Sequence, residues 1–303
     1  MKELYPMRGV ITTVNTPFHE DLTINWSDLR RTAEAALEAG VSGFLAPCFA
    51  SEIDELTNEE RYRMVTELLA VTHQAGHGIV MPNVRGKTKD DCVEQAKRYL
   101  DLGVDGVNIF MPTVTEESYR ELVAAVDELH PPFLCLQDTK DNELRAPFVK
   151  SMFDEFESFR CIKIETANPG PDYTAILKAT DGRLNVSGSW GSDQMIEAFD
   201  RGIHALMPSG LFELFVNVYR LYHEKSREAA MKLFFDILPI IVFTRQSDSA
   251  NLSLHKRYFQ RLGLYTTTKF RAPFAVDAVQ AHYIEEMIDR ALYIRDHMDQ
   301  YWQ

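Results

Sequence analysis

Short apolar runs alternate with longer amphipathic segments along the first two-thirds of the chain. The runs at 10–14, 43–47, 78–84, 106–110, 133–137, 161–165, 184–187 and 205–208 have the length and residue types of buried strands. Between and after them, apolar positions at helical spacing predict helices over about 26–39, 57–75, 88–102, 116–129, 145–157, 171–179, 192–201 and 211–224. Asn25 and Ser27 are placed to cap the first helix, and Thr57 with Glu60 has the pattern of a capping box at the second. Gly40, Gly76, Gly103 and Gly202 stand where helices should stop.

Three helix-to-strand junctions are near-copies: Glu38 to Gly43 (EAGVSG), Asp101 to Gly106 (DLGVDG) and Asp200 to Ala205 (DRGIHA). Each closes an amphipathic helix at glycine and opens a short buried strand. Eight such βα units are what a closed barrel requires, so the fold expected is α/β, a (β/α)8 TIM barrel over residues 1–225. An open doubly wound sheet is the competing architecture. It usually has fewer strands and often carries a glycine-rich phosphate loop after the first, whereas the segment from Gly9 to Pro17 holds a single glycine. Beyond Lys225 the pattern changes to helices without strands, at about 226–243, 248–262 and 275–299. With no Pro/Gly/Ser-rich linker before it, this C-terminal helical extension, 226–303, is expected to pack on the barrel.

Composition narrows the function classes. Hydrophobic residues make up 45% and charged residues 25%, as in an ordinary globular chain with a large core. A formal charge of −13 argues against a nucleic-acid partner or an anionic membrane surface. No apolar run reaches the roughly 20 residues that span a bilayer. The opening Met1-Lys2-Glu3-Leu4-Tyr5-Pro6 lacks the layout of a signal peptide, so the expected location is cytoplasmic. Cys48, Cys92, Cys135 and Cys161 show no zinc-like spacing and are expected as buried free thiols, with no metal and no cofactor implied.

Against that background one residue stands out. Lys163 lies in Cys161-Ile162-Lys163-Ile164-Glu165, an otherwise apolar strand-like run. Such a lysine reaches solvent, pairs with a carboxylate, or works, because desolvation disfavours an ammonium and favours a nucleophilic amine. Strand alternation places Lys163, Glu165 and Cys161 on one face, with Ile162 and Ile164 on the face that suits the helix layer. Lys163 therefore points into the barrel. Barrel enzymes build their sites at the C-terminal strand ends. That selects Cys48-Phe49-Ala50-Ser51-Glu52, Leu136-Gln137-Asp138-Thr139, Lys163 to Thr166, Ser187-Gly188-Ser189-Trp190 and Pro208-Ser209-Gly210.

These residues carry a resemblance over nearly the whole chain. The motifs are Thr16-Pro17-Phe18, Gly40 and Gly43 leading into Ser51-Glu52 and Leu56 to Arg61, Gly103 and Gly106, Ile162-Lys163, Ser187-Gly188, and Lys256 with Leu262-Gly263-Leu264. Together they resemble the Schiff-base-forming superfamily of dihydrodipicolinate synthase and N-acetylneuraminate lyase. The resemblance implies that Lys163 condenses with the 2-oxo group of pyruvate or another 2-oxo acid. It also implies a homotetramer built as a dimer of dimers. The departures are equally informative. The glycine- and threonine-rich turn usual after the second strand reads Cys48-Phe49-Ala50-Ser51-Glu52 here. The family's tyrosine proton shuttle falls on Cys135 and the nearby proline on Asp138. Its arginine falls on Lys140, and the aromatic lent by a neighbouring subunit falls near Val114.

A synthase relay is thus missing. Ala50-Ser51-Glu52, Leu136-Gln137-Asp138, Lys163-Ile164-Glu165-Thr166 and Thr244-Arg245-Gln246-Ser247 are more similar to 2-keto-3-deoxy-sugar-acid dehydratases of the L-2-keto-3-deoxyarabonate type. In the mechanism this implies, neutral Lys163 attacks C2, the iminium acidifies C3, and loss of a C4 hydroxyl gives dehydration. Scission of C3–C4 instead gives aldol cleavage. Either route needs a proton acceptor near the reacting atoms, for which Glu165, Ser189 and Asp138 are candidates. Glu165 is either a structural partner of Lys163 or an acid with a raised pKa. Backbone N–H groups at Ala50 and Ser51, with the Ser51 hydroxyl, are expected to bind the substrate carboxylate, and Gly188 to let backbone approach the ligand. Gln137 is a substrate ligand or a satisfied interior amide, Ser51 and Gly188 are alternatively plain turn residues, and Trp190 is a pocket wall or a packing residue. Cys135 reads as a small filler rather than a shuttle, since apolar burial raises a thiol pKa. The expected function is a lyase dehydrating a 2-oxo acid. A pyruvate-dependent aldolase or synthase and a non-catalytic 2-oxo-acid-binding homologue are the alternatives.

Overall fold

A computed structural model of the chain describes residues 2–110, 115–139, 144–189 and 192–303. Its strands are β1 (Gly9–Thr13), β2 (Gly43–Leu45), β3 (Ile79–Val80), β4 (Asn83–Val84), β5 (Val107–Ile109), β6 (Leu134–Thr139), β7 (Phe159–Glu165), β8 (Asn185–Gly188) and β9 (Ala205–Leu206). All pair in parallel in the order β3-β2-β1-β9-β8-β7-β6-β5-β4. The run expected as one strand over 78–84 is two. Pro82 has no amide to give the ladder, and the strand breaks around it. The two halves nevertheless close the ring. Ile79 and Met81 donate to Ser42 and Phe44 carbonyls on one side, while Asp105 and Asn108 amides donate to Val80 and Pro82 carbonyls on the other. The architecture is the expected TIM barrel with added C-terminal helices.

Side-chain alternation divides the core in two, as the period of two along a strand requires. Ile11, Leu45, Met81, Phe133, Cys135, Cys161, Ala205 and Met207 fill the lumen. Ile162, Ile164, Leu134, Leu136 and Val186 face outward into the helix layer. That layer begins where the sequence signals it. Asn25 accepts from the Asp28 amide at 3.1 Å to cap Trp26–Glu38, while Ser27 lies inside that helix. Thr57 and Glu60 exchange the two bonds of a capping box on Asn58–Ala75, which ends at Gly76 with φ 72. Other boundaries move. The helix expected from 171 starts at Pro169, a residue suited to the first helical turn. The one expected from 192 starts at Met195, because Ser192 has a left-handed φ of 56.

The C-terminal helices Arg227–Thr244, Asp248–Arg261 and Ala278–Asp296 share the outer core with the barrel helices. Leu252 joins the lumen cluster with Cys48 and Ala50, so helix Asp248–Arg261 covers part of the C-terminal mouth. Among the described residues, no helix is long and apolar enough to cross a membrane.

Candidate active site

Lys163 sits near the C-terminal end of β7, 4% exposed, with register partners Gln137 on β6 and Ser187 on β8. Its Nζ is 3.0 Å from Glu165 Oε1. The lysine neither snorkels nor stands alone; it is one half of an ion pair inside the barrel mouth. Glu165 is in turn surrounded by donors. Gln137 Nε2 donates to Oε2, and Ser189 Oγ donates to Oε1 at 2.5 Å. Burial pushes the Glu165 carboxyl up, but the Lys163 ammonium and the hydrogen bonds from Ser189, Lys163 and Gln137 outweigh it and hold the carboxyl below its ordinary 4.5. Of the two roles open from sequence, the geometry gives the anionic partner of Lys163 and not an acid with a raised pKa.

The thiols around the amine are inert at neutral pH. Burial pushes Cys135 up to about 12, and the nearby Lys163 ammonium lowers it only in part. Cys48 is likewise raised by burial against the pull of Lys163. Asp138, a sequence candidate for proton acceptor, is placed elsewhere. It pairs in register with outward-facing Ile164, and its Oδ1 accepts from the Leu144 amide at 2.7 Å, which ties down the end of the loop after β6. The reason is alternation: adjacent residues on a strand face opposite sides, and Gln137 has the lumen side.

The loop after β2 is drawn tight. Ser51 is fully buried; its amide donates to the Cys48 carbonyl at 2.9 Å, and its hydroxyl donates to the Val14 carbonyl at 2.5 Å while accepting from the Cys48 amide. Of the three donors expected to meet a substrate carboxylate, the amide and hydroxyl of Ser51 are therefore already engaged. Ala50 is buried beside it, its carbonyl accepting from Asn15 Nδ2 at 3.0 Å. Gly188 has a packing reason to be glycine. A Cβ there would lie 2.9 Å from the Tyr173 hydroxyl and 3.2 Å from Ile203 and Leu206, on the helix side of β8 and away from the lumen. Trp190, Lys140 and Val114 lie outside the described residues.

Sequence reasoning missed two parts of this site. Asn108 on β5 donates from Nδ2 to Gln137 Oε1 at 2.9 Å and to Asn83 Oδ1 on β4, which continues the polar chain round the barrel. The signal was available: a lone asparagine at a lumen position in Val107-Asn108-Ile109, adjacent in the sheet to Cys135. The second part is the anchor of the tail. Glu52, in a left-handed conformation at φ 56, is buried and accepts from Lys256 Nζ at 2.6 Å and from the Arg271 and Ala272 amides at 2.9 Å. Lys256 also lies over the rings of Phe18 and Phe270. Beside Glu165 a polar cleft of about 140 Å³ opens, lined by Thr166, Asn168, Ser189, Asp193 and Arg245. Arg245, from the Thr244–Ser247 segment marked in the sequence, pairs there with Asp193.

Residues 6–129 match the profile of the Dihydrodipicolinate synthetase family. An uncharacterized DapA-like lyase from Halobacterium salinarum is 26% identical over 237 residues, 74% of this chain and 75% of that protein. A 4-hydroxy-tetrahydrodipicolinate synthase from Salinibacter ruber is 29% identical over 122 residues, 40% of each. Among solved structures, dihydrodipicolinate synthase from Rhodopseudomonas palustris superposes with a TM-score of 0.86 at 21% identity, covering 96% of this chain and all of that one (100%). A Ruminococcus gnavus sialic acid aldolase gives 0.86 at 14% identity, covering 96% and 98%. At these identities the structural likeness is one of fold.

Proposed function

We propose that this chain is a Schiff-base lyase of the dihydrodipicolinate synthase and N-acetylneuraminate lyase type, acting through Lys163 on a 2-oxo acid, with dehydration of a 2-keto-3-deoxy sugar acid as its reaction. The observation that carries the proposal is Lys163 itself, buried at the strand end and held 3.0 Å from a carboxylate able to take its proton. Glu165 accepts a proton from the ammonium, and the free amine attacks the C2 carbonyl. The carbinolamine oxygen is protonated and leaves as water, giving an iminium and restoring the Glu165 carboxylate. The acid–base pair of Glu165 and Ser189 then takes the C3 proton to form the enamine, and returns it to the C4 hydroxyl, which the enamine electrons expel as water. Hydrolysis of the imine releases product and Lys163.

Dehydration is favoured because Cys135, in the shuttle position of synthases, carries a thiol pushed up to about 12 and so moves no proton at neutral pH. The acid–base capacity lies instead on Glu165 and Ser189, next to the polar cleft. Ala50 and Ser51 are proposed to meet the substrate carboxylate, Ser51 by exchanging one of its loop bonds. The second reading is aldol cleavage of a 2-oxo acid or condensation of pyruvate, supported by the similarity to the Salinibacter ruber synthase and the fold shared with sialic acid aldolase. A homotetramer in the cytoplasm completes the proposal on the strength of the resemblance, and sedimentation tests the assembly.

The deciding experiment incubates the protein with pyruvate and a panel of 2-keto-3-deoxy acids, reduces with borohydride and weighs the intact chain. An adduct lost in Lys163→Ala is expected, and no adduct with any 2-oxo acid would sink the proposal. Semicarbazide detection of the product then separates the two reactions: a 2-oxo semialdehyde follows dehydration and pyruvate follows cleavage.

A further inference from the structure

Asn83, Asn108, Gln137, Glu165 and Ser189 form one hydrogen-bonded belt across successive strands of the mouth, ending where Ser189 Oγ reaches the Met207 carbonyl at 3.1 Å. The belt has a direction. An ionised carboxylate only accepts, so Gln137 must turn its amide nitrogen to Glu165 and its oxygen to Asn108. Asn108 must then present its nitrogen to Gln137, and the same nitrogen finds Asn83 Oδ1. The orientation is imposed on Asn108, whose own Oδ1 is buried with no partner among the described residues.

We propose that Asn108 is a positioning residue that, through Gln137, dedicates Glu165 Oε1 to proton exchange with Lys163. With Oε2 occupied by the Gln137 donor, a proton taken from Lys163 lands on Oε1. That oxygen is 3.0 Å from Lys163 Nζ and 2.5 Å from Ser189 Oγ. Ser189 has one hydroxyl proton and two acceptors, Glu165 Oε1 and Met207 O. When Glu165 is ionised the hydroxyl donates to it. When Glu165 carries the proton the hydroxyl turns to Met207 O and accepts from Glu165, so Glu165 and Ser189 keep their partners in both protonation states. The proton count closes: the ammonium gives one proton to Oε1, Oε1 returns it to the departing carbinolamine hydroxyl, and water and an iminium N–H result. Other titratable groups facing Glu165 among the described residues are Tyr173 from helix Pro169–Ala179, and Asp193, Glu197 and Arg245 across the cleft. None belongs to the belt.

The inference rests on the lyase reading, and the test keeps the two apart. Wild type, Asn108→Leu and Asn108→Asp are mixed with pyruvate and quenched with borohydride at intervals, from acid to neutral pH, and the rate of Lys163 adduct formation is plotted against pH. Glu165 must be ionised to act, so losing the Gln137 donor moves the acid limb upward. Asn108→Leu is expected to move it by about one pH unit, tenfold in rate on that limb. Asn108→Asp moves it further, because its carboxylate draws the Gln137 donor away and turns the amide oxygen toward Glu165. A packing role gives the reverse order, with near-isosteric aspartate milder than leucine. That order, or limbs coinciding with wild type, overturns the inference alone. No adduct in wild type overturns the lyase reading and the inference with it. Should both variants at 108 fail to fold, Asn83→Ala is expected to shift the limb in the same direction by less, and an unshifted limb there overturns the inference.

Discussion

Replacing Glu165 by glutamine keeps the side chain's length and removes its charge. The variant loses the only carboxylate in contact with Lys163 among the described ion pairs. A positioned base contributes about 10²–10⁴-fold to a proton transfer, or about 3–5 kcal/mol on the barrier. Turnover of a 2-keto-3-deoxy acid is therefore expected to fall by about that factor with KM little changed, since the isosteric amide leaves the pocket's shape intact. Borohydride labelling behaves differently. Reduction traps each imine irreversibly, so prolonged incubation with pyruvate still labels Lys163 to completion while the initial rate drops. Thermal unfolding distinguishes lost chemistry from a lost fold. The acid side follows from the same geometry. Glu165 is held below its ordinary 4.5, so its contribution to stability is complete above that value and is lost as pH falls through the lowered one. Glu165→Gln should lack that acid-side loss. Glutamine turnover equal to wild type across neutral pH would remove Glu165 from every proton transfer proposed above.

Cys135→Ala should leave turnover within about threefold of wild type between pH 6 and 9, because a thiol pushed up to about 12 stays protonated there and shuttles no proton; an inflection that disappears in the variant would show the thiol titrating. Gly188→Ala places a Cβ 2.9 Å from the Tyr173 hydroxyl and should destabilise by about 1–3 kcal/mol in chemical denaturation. Adding Tyr173→Phe should recover part of that loss, and strict additivity would show that the clash lies elsewhere. Lys256→Met leaves Glu52 buried with only its two amide donors and should cost about 3 kcal/mol, at the lower end for a broken buried pair because those donors persist. The double variant with Glu52→Gln should be less destabilised than Lys256→Met alone, and a larger loss would contradict the pairing.

The βα rhythm, the glycine stops and the Thr57–Glu60 box were legible in the chain because each is local: periodicity and capping act over a few residues and show in their order. Alternation was equally legible, and it alone put Lys163, Glu165, Cys135 and Gln137 in the lumen and Ile162 and Ile164 outside. Placing Asp138 in the site went against that rule and failed for the same reason. The break at Pro82 and the late start of helix Met195–Asp200 were harder, since they depend on one missing amide and one left-handed serine inside otherwise regular patterns. What no local pattern carries is which polar atoms meet across strands. The ion pair between Lys163 and Glu165, the belt from Asn83 to Ser189, the engagement of Ser51 by Val14 and the hold of Lys256 on Glu52 all join atoms set by sheet register or by the docking of the tail. Residue order alone specifies a barrel and the lysine inside it. That the lysine's proton has a partner follows from the folded barrel, because a buried charge is matched by whatever the closed barrel brings within about 3 Å of it.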